Sequence, residues 1–216
     1  MSARAAPVLV VATANAGKLR ELRELLAGVE LRVVGLDEAG PVAFPGEGDD
    51  YAANATAKAR AAATQLGLPA LADDSGLEVE GLGGAPGPRS ARYGGAGLDD
   101  AGRSALLLRE LDARPGASRR ARFVCVAALA LTDGALHVRR AECAGRIAAS
   151  ARGAGGFGYD PVFELDEPGF RDGRTMAELE PAEKARVSHR ARALAALRTE
   201  LAALGASAQA QAAKRS

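Results

Sequence analysis

Residues 7–26 read PVLVVATANAGKLRELRELL. Pro7 to Ala12 is a short, β-branched apolar run, which predicts a buried strand. Thr13 to Gly17 is a turn. From Lys18 to Leu26 the residues Leu19, Leu22, Leu25 and Leu26 recur at helical spacing, with Arg and Glu between them. Strand, turn and helix in that order form the start of an α/β unit whose turn carries Thr, Asn and Lys.

Working outward, Leu31 to Leu36 supplies a second strand. Gly40 to Asp50 is rich in Gly, Pro and acid and predicts a loop. Tyr51 to Leu66 is an Ala-rich helix on which Asn54 and Lys58, four apart, share a face. Pro69 to Ala72 predicts a short strand ending in Asp73-Asp74-Ser75-Gly76, with continuation through Leu77 to Leu82 left open. Gly83 to Gly97 is an irregular Gly- and Pro-rich loop, and Asp99 to Leu111 a helix. Arg119 to Thr132 and Ala135 to Ala144 predict antiparallel strands around the turn Asp133-Gly134, with Gly145 to Ala149 as a candidate third strand. Gly153 to Phe163 is another Gly-rich loop. Ser188 is placed to cap a last helix, His189 to Leu204. The expected fold is α/β: a long mixed β-sheet flanked by helices, with two lobes around a central cleft. Residues 1–204 form one domain, and the small, polar stretch 205–216 predicts a disordered tail.

Bulk properties narrow the function. The 216 residues are 48% hydrophobic but only 4% aromatic, so Ala, Leu and Val must build the core. A net charge of +1 argues against a scaffold that grips nucleic acid by bulk charge. No apolar run approaches the ~18 residues of a membrane helix, and the start MSARAAPVLVVATAN lacks a signal-peptide core. A soluble, cytoplasmic chain is expected. Cys125 and Cys143 show no CxxC spacing and predict two buried thiols, with a disulfide between neighbouring strands left open.

Lysine is scarce: four residues against 24 Arg. Lys is a compact point charge where Arg is a wide fork, so a Lys kept in such a chain marks a place that an arginine would not fit. Chance in a small sample is the alternative. Lys18, Lys58 and Lys184 fall in strings with chemical character; Lys214 does not.

Five strings carry candidate chemistry, each with a plainer reading beside it. Thr13-Ala14-Asn15-Ala16-Gly17-Lys18 puts a hydroxyl, an amide and an ammonium at a helix start, where an anion is favoured; simple capping also explains it. It is neither a Walker A loop nor a GxGxxG fingerprint. Glu47, Asp49 and Asp50 precede the Asn54/Lys58 helix and suit a hard cation such as Mg²⁺, or merely a solvated loop. Asp73 and Asp74 point to opposite faces if they lie in a strand, so one can serve a metal or a water while the other anchors structure; DDSG is also ordinary turn chemistry. Phe157, Gly158, Tyr159 and Asp160 place aromatics in a Gly-rich loop where a ring can stack on a base or plug a core. Lys184, His189 and Arg190 offer donors suited to a keto oxygen, or form a solvated helix start. Together these are the parts of a site for a nucleoside triphosphate and its metal.

In this order the strings resemble the inosine triphosphate pyrophosphatase family over about residues 8–204. The most specific are ADDSGLEVEGLGGAPGPRSARYGG (72–95), GGFGYDPVF (155–163) and EKARVSHRARAL (183–194). TANAGKLREL and YAANATAKA agree as well. The resemblance implies Mg²⁺-dependent hydrolysis of ITP, dITP or XTP to the monophosphate and pyrophosphate, by a homodimer. It implies that Asp74 is general base and metal ligand, that Ser75 touches substrate, and that the 13–18 turn holds the triphosphate. Phe157 to Asp160 would form the base pocket. Lys184, His189 and Arg190 would close over the base and read its 6-keto edge. Lys18 and Lys58 would offset the charge of the departing pyrophosphate. The family's metal-binding Glu usually stands where this chain has Gly46; here Glu47 is the candidate, and Asp50 replaces a Ser or Thr. The alternatives are a Maf-like pyrophosphatase with another base choice, a nucleotide-binding protein without catalysis, and, third, a nucleic-acid module.

Overall fold

The structure is a computed structural model that describes residues 6–214, with side chains described through Ala206. The opening segment folds as its pattern predicts. β1 (Val8–Val11) runs into α1 (Ala16–Leu25), and β2 (Arg32–Val34) returns parallel to β1. After α2 (Leu36–Ala39), helix α3 (Tyr51–Leu66) crosses back to β3 (Ala70–Val79), which is parallel to β1 on its other side. The remaining pairings are antiparallel. β4 (Pro86–Gly87) and β5 (Arg120–Ala130) both pair with β3. β6 (Leu136–Ile147) pairs with β5, and β7 (Phe163–Leu165) with β6. The sheet order is β2-β1-β3-β5-β6-β7, with β4 beside β3. α4 (Asp100–Asp112) precedes β5, and α5 (Pro181–Val187), α6 (His189–Ala195) and α7 (Arg198–Lys214) end the chain.

Three apolar clusters cover the sheet. On one face Ala55, Ala59, Ala62 and Ala63 of α3 meet Ala70, Ala72, Val124, Val126 and Ala128. Alanine on both sides lets the helix lie close to the strands. On the other face Leu22 and Leu26 meet Leu9, Val11, Leu71, Cys125, Ala127 and Leu129, joined by Ala193, Leu194, Leu197 and Leu201. The third cluster, around Leu77, Val79, Phe123, Ile147, Phe163, Leu107 and Leu111, forms the second lobe. β3 and β5 run through all three.

α3 occupies the expected range. Asp50 caps its start by accepting from Ala53 N at 2.8 Å, and Gly67 ends it in the left-handed region at φ 64°. Three expectations need correction. β3 does not stop at the acidic doublet but continues to Val79, because Asp73 to Gly76 pair in register with Ala127 to Val124. Residues 145–147 extend β6 rather than form a third strand. The last helix is broken into α6 and α7. Helix α7 runs on through Lys214, and half of residues 205–214 are Ala, the strongest helix former. Residues 215 and 216 lie outside the described residues. Cys125 and Cys143 are buried free thiols.

Candidate active site

Strand alternation separates the two carboxylates of the doublet. Asp73 faces α1 and α6, and Asp74 faces α3. On the first side Lys18 Nζ lies 3.0 Å from Asp73 Oδ2. Arg190 donates to the same oxygen through Nε at 3.3 Å and Nη2 at 3.2 Å, while its Nη1 donates to Glu21 Oε2 at 2.7 Å. Ser75 donates to Asp73 and accepts from Arg190 Nη2 at 3.2 Å. Burial alone would raise the Asp73 carboxyl, but Lys18 and Arg190 outweigh it and hold it far below the usual carboxylate range.

On the second side Asp74 accepts from Asn54 Nδ2 and from Lys58 Nζ, each at 2.9 Å. Lys58 Nζ also donates to Glu47 Oε1 at 3.0 Å. One ammonium is thus shared by two carboxylates. Its burial would lower the Lys58 pKa, yet Asp74, Asp73 and Glu47 raise it. Glu47 is lowered by Lys58, Arg92 and Lys18 against the opposing effect of burial. The acidic loop that sequence grouped together is dispersed. Asp50 caps α3, Asp49 holds Arg89 at 2.7 and 2.6 Å, and only Glu47 turns inward. The carboxylate one position later than the family pattern therefore still reaches Lys58.

Asn15 caps α1 by accepting from Lys18 N at 3.0 Å, and Asn15 N donates to Thr13 Oγ1 at 3.1 Å. Ala14, Asn15 and Ala16 are exposed, with Thr13 and Gly17 half-buried. A Cβ at Gly17 would come within 2.8 Å of Phe157 Cγ, so this glycine is where the turn and the aromatic loop meet. Phe157 N donates to Asp160 Oδ2 at 2.9 Å, and Lys184 Nζ donates to the same oxygen at 2.7 Å. The Lys184 ammonium lies 5.2 Å and the Arg190 guanidinium 5.6 Å from the Phe157 ring centre. Burial raises Asp160 despite Lys184 beside it. Tyr159 is buried and donates to Ser90 O at 2.9 Å, so Phe157 is the ring left to stack.

Asn15, Lys18, Ser75, Phe157, Lys184 and His189 line a cavity of about 90 Å³. Beyond the Phe157 ring, between α1 and α5, lies a groove of about 610 Å³. Asp74, Lys58 and Glu47 stand outside both, on the α3 face of β3. The structure thus joins the 13–18 turn, Ser75, the 157–160 loop, Lys184, His189 and Arg190 on one wall, and Asp74, Lys58 and Glu47 on the other. Arg190 is 2% exposed with every side-chain nitrogen bonded, which makes it a brace first. Glu21 and Asn54 were not singled out as site residues from sequence. Asn54 carried a signal, its shared face with Lys58. Glu21 carried none, since a Glu between helical leucines has the pattern of a solvated face.

His189 stacks on Phe123 with ring centres 4.7 Å apart and planes 11° apart, and its buried Nδ1 has no partner. Burial, then Arg190, lowers its pKa well below 6.5. The native ring stays neutral while the unfolded chain takes a proton near that value. Stability from this group is therefore complete above pH 6.5 and is lost as pH falls, by about 1.4 kcal/mol per unit. Urea midpoints from pH 7.5 to 5 should show this slope in the wild type and lose it in His189→Gln. Parallel pH profiles would contradict the neutral buried ring.

The donor set passes the test for a hard cation in one respect. Mg²⁺ takes one or two carboxylates and completes its shell with waters and substrate phosphates, and Asp74 and Glu47 converge on one point. Among the described residues no group of three or more His, Cys, Asp or Glu could hold a metal by itself.

A mixed sheet with buried lysine–aspartate pairs on both faces of β3 defines an α/β protein whose buried charges gather around the middle of one strand. The chain belongs to the Ham1 family, whose model matches residues 9–200. It is 50% identical over 192 residues to a protein of Geobacillus kaustophilus named dITP/XTP pyrophosphatase, covering 88% of this chain and 91% of that one. The solved HAM1 protein from Coxiella burnetii superposes with a TM-score of 0.78 at 42% identity, over 90% of this chain and 98% of that chain. A Mycobacterium abscessus crystal structure named nucleoside-triphosphatase / dITP/XTP pyrophosphatase gives 0.67 at 42% identity, over 88% and 98%. The resemblance drawn from the five strings and the mixed α/β architecture are both borne out. Among the described residues no helix is long and apolar enough to cross a membrane.

Proposed function

We propose that the chain hydrolyses non-canonical purine nucleoside triphosphates (ITP, dITP and XTP) to the monophosphate and pyrophosphate, as a magnesium-dependent, cytoplasmic homodimer. The observation that carries this is Lys58 held between Glu47 and Asp74, at 3.0 and 2.9 Å. Such a trio suits a polyphosphate with its cation: two carboxylates for the metal and an ammonium for phosphate oxygens. When bound, Mg²⁺ would offset charge on the triphosphate and on the leaving pyrophosphate. Asp74 takes the proton of the attacking water. Lys18 and Lys58 neutralise the phosphates, and the exposed start of α1 adds backbone donors. Phe157 stacks on the base. Lys184 and His189 supply donors for the 6-keto edge, and Arg190 fixes that wall from behind. A purine that offers an amino group there would leave buried donors unpaired, which is how such a site discriminates.

The test is pyrophosphate release from ITP, dITP and XTP beside dATP, dTTP and UTP, with and without Mg²⁺. Turnover of the first three, with metal only, is expected. Preference for dTTP or UTP would transfer the chain to the Maf-like alternative. ITP binding without pyrophosphate release would mean a non-catalytic binder. In the same assay Phe157→Ala should raise KM for dITP about fivefold or more, since one base–ring stack contributes ~1–3 kcal/mol. An unchanged KM would remove Phe157 from the base site.

A further inference from the structure

Resting on the nucleotide reading above, we infer that the N-terminal turn of α4, through Asp100 and Ser104, is the positioning device for the Phe157 ring. The segment 155–158 meets Gly17 and Ala177 closely but has open space on two sides. The groove of about 610 Å³ lies on one side of it, and on the other a groove of about 320 Å³ separates it from α4. Its glycines cannot fix its backbone by side-chain packing, and Gly156 and Gly158 take φ values of 72° and 62°, where other residues rarely go. A ring carried on such a segment needs polar ties.

Both backbone groups of Gly158 are tied to one helix. Gly158 N donates to Asp100 Oδ2 at 2.8 Å, and Ser104 Oγ donates to Gly158 O at 3.3 Å. Asp100 and Ser104 are four apart and so share a face. Asp99, not Asp100, caps α4, by accepting from Gly102 N at 2.7 Å. The Asp100 carboxylate is therefore free of the capping role and is turned on the loop. On the other flank Asp160 Oδ2 holds Phe157 N. Phe157 thus sits between two carboxylate-held amides. One of them is anchored through Lys184 to the base wall, and the other to a helix of the second lobe.

The consequence is selective. Loosening the tie should weaken recognition of the base and spare recognition of the phosphates. Three variants test it: Asp100→Ala/Ser104→Ala, Asp100→Asn, and Asp100→Ala/Ser104→Ala combined with Phe157→Ala. Calorimetry measures affinity for IMP, which needs no turnover, and for inorganic tripolyphosphate, which has no base. Hydrogen exchange follows the Phe157 and Gly158 amides. The double variant should exchange faster at these amides and bind IMP about tenfold more weakly, the scale of losing a charge-assisted hydrogen bond. Its tripolyphosphate affinity should be unchanged. Asp100→Asn keeps an acceptor and should stay near wild type. Once Phe157 is gone, the α4 changes should cost nothing further, because coupled residues are not additive. Wild-type IMP affinity in the double variant would overturn the inference, as would an equal loss for tripolyphosphate or a full loss in Asp100→Asn. A wild type that binds no IMP at all would overturn the nucleotide reading itself, and this inference with it.

Discussion

Asp74→Asn should lower kcat for dITP by about 10³-fold while leaving a folded protein, the scale expected if Asp74 is the general base. The side chain is 7% exposed, and its two oxygens take one bond each, from Asn54 and from Lys58. Asparagine keeps the shape and one acceptor but presents an NH₂ to one of these donors. The expected stability loss is about 1–3 kcal/mol, the range for a mismatched buried polar group. Lys58 retains Glu47, so the wall holds. Chemistry loses more than the fold does, because the amide can neither accept a proton nor carry charge to a cation. Pyrophosphate release at saturating dITP and a urea melt, on the same preparation, separate the two effects. Near-wild-type kcat would remove Asp74 from the centre of the reaction.

Arg190→Met should show the opposite signature, a loss of stability. The guanidinium lies between Glu21 and Asp73, and all three side chains are buried. Removing it leaves two carboxylates with less cationic support: Asp73 keeps Lys18, and Glu21 keeps Lys184 at 3.7 Å. Breaking one partner out of a buried ion cluster costs about 3–5 kcal/mol, on the order of 10 °C in melting temperature for a chain of this size. The acid limb should change too. A carboxyl depressed in the native state gives stability that is present above its ordinary value, 3.8 for Asp73, and is lost as pH falls below it. With Arg190 gone the depression shrinks, and the stability lost below that pH shrinks with it. A thermal melt within 2 °C of wild type, or an unchanged acid limb, would show that Arg190 is not the brace.

Much of this was legible in residue pattern. The opening strand–turn–helix, the full extent of α3 and the hairpin turn at 133–134 follow from periodicity and breakers. Three of the scarce lysines mark buried ion pairs. Lys18, Lys58 and Lys184 each lie within 3.0 Å of a buried aspartate: Asp73, Asp74 and Asp160. What was not legible is long-range. An Asp-Asp-Ser-Gly string has turn composition, yet β5 pairs with it residue by residue, and cations from three helices compensate its charges. Local preference gave way to tertiary pairing. Glu21 became part of the site only because α6, over 160 positions later, delivers Arg190 to it.

The opposed directions of Asp73 and Asp74 tie chemistry to strand alignment. Moving β3 by a single residue against β5 would turn Asp73 toward α3 and Asp74 toward Arg190, inverting both sides at once. Ten consecutive pairings with β5 forbid that slip. An insertion or deletion between residues 70 and 79 should accordingly cost the enzyme its activity, even in a chain that still closes its sheet.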